Sequence, residues 1–96
     1  MWIRSAFWTG AARPGQEGQF QAAVDQELVP ALRRLPGVQD ASSLWPRRRE
    51  DQPPNIACQV IVEFASRADV DTMLASPERH ALRARVKEIE IGRAHV

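Results

Sequence analysis

One cysteine, Cys58, no tyrosine and two histidines in 96 residues make this a chemically spare chain. A single cysteine closes no internal disulfide, so a reducing compartment suffices and the cytoplasm is the expected location. His80, His95 and Cys58 lack metal-ligand spacing and no carboxylate pair flanks either histidine in a recognisable motif, so neither a metal nor another cofactor is expected. A glycine-rich phosphate loop and a serine nucleophile elbow are both missing. No segment approaches the ~18 apolar residues of a membrane span, and the opening Met1 to Trp8 has neither a basic region leading into a long apolar stretch nor a cleavage site, which argues against membrane insertion and export. Thirteen Lys and Arg against twelve Asp and Glu leave a formal charge of +1. That is too little to steer the protein to nucleic acid or an anionic membrane. The one basic run, Arg47 to Arg49, is followed by Glu50 and Asp51 and reads as a self-compensated loop, its alternative role being a lip that captures anionic ligands.

What is present is enough for one core. Residues 1–96 form a single domain by length, and so small a domain buries only roughly 60 to 65% of its unfolded surface, which makes a covering partner valuable. Trp2 to Trp8 has strand character and ends at Thr9-Gly10. Residues 10–18 form a loop, and from Gln19 on Phe20, Val24, Leu28, Ala31, Leu32 and Leu35 recur at helical spacing. Pro30 inside that run predicts a kink or a break into two short helices. Leu35-Pro36-Gly37 stops it, with Gly37 suited to a left-handed terminal conformation. Val38 to Trp45 is a weaker second strand, and Ile56 to Phe64 alternates as an unambiguous third. Ser66 and Ser76-Pro77-Glu78 are helix starts that predict pieces near 67–75 and 77–87, with Val70, Met73, Leu74, Ala81, Leu82 and Val86 facing inward. Ile89 to Val96 supplies a fourth strand, weakened or bent at Gly92. The fold expected is α+β, a ferredoxin-like βαββαβ sandwich with two helices on one face of a four-stranded antiparallel sheet.

Function in such a fold rests on the sheet face the helices leave open. Alternation sends Ile56, Cys58, Val60, Val62 and Phe64 to the helices and Ala57, Gln59, Ile61 and Glu63 away. Burying Arg4 under the helices is costly, so Ile3, Ser5 and Phe7 are assigned inward and Trp2, Arg4, Ala6 and Trp8 outward. On the second strand Leu44 points in, Ser43 and Trp45 out. The open face then carries Trp2, Trp8, Trp45, Ile61 and Ile91, more apolar surface than a soluble monomer leaves to water. Two such faces packed together close a barrel in a homodimer, with a small hydrophobic or aromatic molecule as ligand and Arg4, Trp8, Trp45, Gln59, Glu63 and His95 as candidate ligand-binding residues. Arg4 and Glu63 make a cross-strand pair or, functionally, an anchor for a carboxylate or enolate. His95 is a frayed terminal residue or a general base at the rim. His80 belongs to the surface and Cys58 to the core.

Three segments resemble a known family: Leu28-Val29-Pro30-Ala31-Leu32-Arg33-Arg34-Leu35-Pro36-Gly37-Val38, then Val62-Glu63-Phe64-Ala65-Ser66, then Met73-Leu74-Ala75-Ser76-Pro77-Glu78. Over about residues 20–88 the chain is similar to the EthD-like (ethyl tert-butyl ether degradation) group of dimeric α+β barrel proteins. The resemblance implies a ferredoxin-like protomer, a homodimer joined sheet to sheet, and a class that includes cofactor-independent oxygenases, isomerases and decarboxylases. Family members often carry a histidine two residues before the helix proline, where this chain has Leu28. No catalytic residue is therefore assigned. The alternative to a small-molecule binder or enzyme is a non-catalytic structural or regulatory dimerisation module. RNA binding, which the same element order also serves, is disfavoured because Ile56 to Phe64 lacks the basic and aromatic signature of the RNA-recognition sheet.

Overall fold

The computed structural model describes residues 1–9, 15–46 and 56–93. Three strands form one antiparallel sheet: β1 (Trp2–Thr9), β2 (Val38–Leu44) and β3 (Ile56–Phe64), in the order β1-β3-β2. β3 is central because it is the most apolar and the only one that can bury a full face. Cys58 and Phe64 are completely enclosed, and Val60 and Val62 nearly so. The helical segments are α1 (Glu17–Ala22), a π-helical segment (Ala23–Leu28), α2 (Val29–Arg33), α3 (Arg67–Ala75) and α4 (Pro77–Arg93). Phe20, Val24, Leu28, Val29 and Leu35 come from the first helical stretch, Met73 and Ile89 from α3 and α4, and all join the β3 side chains in one core. The architecture is α+β, with the described helices on one side of a three-stranded sheet.

One expectation about helices is met in part and one changes. Pro30 interrupts the regular α-helix without ending the helical stretch, since it lies at the start of α2, directly after the π-helical segment. It cannot bond back to Gln26 and its ring would collide there in an ordinary α-helix, and the preceding turn widens into the Ala23–Leu28 π-helix, so the chain runs helically from Glu17 to Arg33. The C-terminal segment to Arg93 is not a fourth strand: α4 continues through it. Ile89 and Ile91 suggest β alternation, but Leu82, Val86 and Ile89 fall at positions i, i+4 and i+7 of one helical stripe, and burying Ile89 against the core decides for the helix. Arg85 and Glu88 add a pair one turn apart at 3.0 Å. Residues 94–96, with His95, lie outside the described residues, as do Arg47 to Arg49.

The capping signals are realised. The Ser66 hydroxyl accepts from the Asp69 amide at 3.2 Å, and the buried Ser76 hydroxyl accepts from the Arg79 amide at 3.2 Å while donating to the Met73 carbonyl at 2.8 Å. Gly37 takes φ +83°, as expected of a helix-terminating glycine.

Arg85 also joins α4 to the π-helical segment through a two-pronged pair with Glu27, one bond 2.5 Å and the other 2.8 Å long. Hydrogen bonding from Arg85 holds the Glu27 carboxyl below its ordinary value of 4.5. Because the folded-state value is depressed, the pair's contribution is complete above that ordinary value and disappears as pH falls through the lowered one. Glu27→Gln should therefore lower stability slightly at neutral pH, where the pair is complete, and converge on the wild type at acid pH, so that the acid side of the stability-against-pH curve flattens; the effect is small because the pair is exposed to solvent on both sides. Urea titrations across that range read the difference.

Candidate functional site

Strand register decides what each face offers. β1 pairs with β3 as Trp2 with Phe64, Arg4 with Val62, Ala6 with Val60 and Trp8 with Cys58. Directly paired residues share a face, so Trp2, Arg4, Ala6 and Trp8 lie on the helix side and Ile3, Ser5 and Phe7 on the open side. This reverses the expected phase of β1. Trp8 is only 8% exposed, whereas Ile3 and Phe7 are 56% and 53% exposed. The argument against an inward Arg4 assumed a covered strand. β1 is an edge, so the Arg4 stem follows the apolar wall and its charged end remains in solvent.

β2 is reversed too. Its pairing skips one residue between Val38 and Asp40, after which Ala41 faces Val62 and Ser43 faces Val60, both toward the helices, while Leu44 faces Gln59 on the open side. Polar groups drive this arrangement. The Asp40 carboxylate accepts from the Ala41 amide at 2.8 Å and from Arg33 Nε at 3.1 Å, which also donates to the Ala41 carbonyl at 2.9 Å. The Ser43 hydroxyl donates to Asp25 on the π-helical segment, and Trp45 Nε1 donates to the same carboxylate oxygen at 2.9 Å. Trp8, Phe20 and Trp45 then stack edge to face, with ring centres 5.9 and 5.7 Å apart.

Asp25 was not singled out by sequence reasoning, since a lone acid on a helix usually faces water. Its role is to tie the helix to β2. Asp25→Ala should cost about 1–3 kcal/mol, because it leaves the Ser43 hydroxyl and the Trp45 indole without their shared acceptor in a half-buried site. Chemical denaturation measures the loss, and a change in Trp45 fluorescence should accompany it.

The six candidate ligand-binding residues therefore do not form one group. Arg4 and Trp8 line a cavity on the helix side, and Trp45 lies on that side but bonded to Asp25. Gln59 and Glu63 sit on the opposite face, paired with Phe7 and Ile3. Arg4 and Glu63 are on opposite faces and make no cross-strand pair. His95 lies outside the described residues. Cys58 is buried and His80 is exposed, as expected.

The cavity holding Arg4 and Trp8 lies between β1 and α4 and measures about 250 Å³. Its floor is Ala6, Trp8, Val60 and Val62, its back wall Leu28, Leu32, Leu35 and Met73, and its roof Leu82 and Val86. Arg4, Arg79 and Arg83 stand around it, and among the described residues no carboxylate, histidine or cysteine lines it. Burial, followed by the charges of Arg83 and Arg4, pushes Arg79 below the usual arginine value, though a guanidinium stays protonated. A second cavity near Phe20 and a larger, shallower one beside Ala31 both include Arg85, whose charge is already engaged by Glu27. Of these three, the first has the most extensive apolar lining, and Arg4, Arg79 and Arg83 at it make no ion pair among the described residues.

Among the described residues, no group of three His, Cys, Asp or Glu side chains could hold a metal, and no helix is long and apolar enough to cross a membrane. The chain matches no known family model and no curated protein.

Proposed function

We propose that the protein is a small-molecule-binding domain that takes a hydrophobic or aromatic compound into the cavity between β1 and α4. The observation that carries this is the cavity itself: an opening of about 250 Å³ walled by core aliphatic side chains and Trp8. A dry apolar cavity of ~150 Å³ already accepts benzene, so this one has room for a single ring or a short alkyl chain. Its described lining offers apolar surface and positive charge, a combination that suits binding. The EthD-like reading, a ferredoxin-like protomer in a sheet-to-sheet homodimer, accords with the β1-β3-β2 order and with the open face. There Ile3, Phe7 and Leu44 are 56%, 53% and 49% exposed, a row of large apolar groups that a second copy would cover.

Titration calorimetry with 1-octanol and 3-phenylpropanol tests the binding reading. Both should bind the wild-type chain, and Leu82→Trp, which places an indole in the roof of the cavity, should abolish binding while the fold survives by circular dichroism. Unchanged binding in that variant would remove the cavity from consideration. Sedimentation tests pairing separately, with a dimer expected for the wild-type chain and a monomer for Phe7→Glu.

The structural or regulatory module remains a second reading, favoured by the same Ile3, Phe7 and Leu44 patch. It predicts the dimer without either alcohol bound.

A further inference from the structure

The charges around the cavity say which class of ligand it takes. Arg79 and Arg83 are four residues apart on α4, so they lie on one side of the helix, and both border the cavity that Arg4 borders from β1. Like charges at that spacing destabilise a helix, and no acid among the described lining residues offsets them. Among the described residues Arg33 pairs with Asp40 and Arg85 with Glu27 and Glu88, whereas Arg4, Arg79 and Arg83, like Arg34 and Arg67, make no ion pair. Three guanidinium groups from two elements thus border one apolar cavity, with no acidic partner among the described residues.

We infer that the ligand is an amphipathic carboxylate, its hydrophobic body against Trp8, Val60 and Leu82 and its carboxylate held at the mouth by Arg79 and Arg83 with Arg4 opposite. This rests on the cavity-binding reading and goes further by naming the head group. Carboxylate suits the planar fork of arginine, which binds two oxygens at once.

The test compares octanoate with 1-octanol, which share a chain and differ at the head group, on the wild-type chain and on the double variant Arg79→Gln/Arg83→Gln. Calorimetry at low salt should show octanoate binding the wild-type chain at least about tenfold more tightly than octanol, with the preference shrinking as salt rises. In the double variant the octanoate advantage should disappear while octanol affinity stays within about twofold of wild type. The melting temperature of the variant should be unchanged or higher, since a like-charged pair has been removed; a drop would point to a structural role for these arginines and against the inference. Equal affinity for the two probes in the wild-type chain, or a preference that survives the double substitution, overturns the carboxylate assignment and leaves the cavity-binding reading intact. Binding of neither probe overturns both.

Discussion

Phe64→Ala should lose about 3–5 kcal/mol of folding stability. Phe64 ends the central strand, is completely buried, and is paired with Trp2 of β1 on one side and Val38 of β2 on the other. Truncating it removes an aromatic ring from a position paired with both outer strands, and the backbone ladder on either side prevents the gap from collapsing. A domain of 96 residues has roughly 5–14 kcal/mol of stability in total, so the loss is a large share of what there is. Urea denaturation should show the midpoint falling with little change in slope. A cost under about 1 kcal/mol would mean that the ring is not enclosed as described.

Gly37→Ala should cost about 3 kcal/mol, and Gly15→Ala about 1 kcal/mol, although the two glycines share nearly the same backbone conformation. Their φ values are +83° and +81°. A side chain at Gly15 meets nothing within 4 Å, so its substitution reports the left-handed conformation alone. At Gly37 an added Cβ would lie 2.5 Å from the Asp69 carbonyl oxygen and 3.2 Å from its carbon, both in the backbone of α3. Relief requires moving α3 away from the start of β2, which disturbs the packing of Met73 as well. Measured side by side in urea, the difference between the two variants isolates the close approach. Equal costs would show that α3 yields freely at that point.

Both effects concern the end of the sheet where β2 begins beside Phe64, and both bear on the cavity. Met73 lies on its back wall, and Val60 and Val62, in its floor, share the inward face of β3 with Phe64. A ligand in the cavity should therefore raise the unfolding midpoint of the wild-type protein, by mass action on the folded state.

The strands, the helix starts and the side assignment of β3 were legible in the chain itself. Ile56 to Phe64 alternates without exception on its apolar side, Ser66 and Ser76 carry their caps locally, and Gly37 marks its own left-handed turn, so each signal is complete within a few residues. The phase of β1 and β2 was not, because both alternate between mixed sets and only pairing to β3 decides which set is covered. Arg4 argued for the outside and Leu44 for the inside, yet an edge position keeps the Arg4 head in solvent, and the one-residue skip before Asp40, with Asp25 waiting across the interface for Ser43 and Trp45, turns Leu44 out. Asp25 and Ser43 are eighteen residues apart, and Glu27 and Arg85 fifty-eight, so no local pattern joins them. Helix or strand at Ile89 was likewise a contest between two periodicities that the core settled by enclosing that side chain. The cavity belongs wholly to tertiary structure: it exists because α4 stands off from β1, and that spacing brings arginines from residues 4, 79 and 83 to one opening. Local chemistry determined which segments become strands and helices, and packing between distant segments determined which side chains meet.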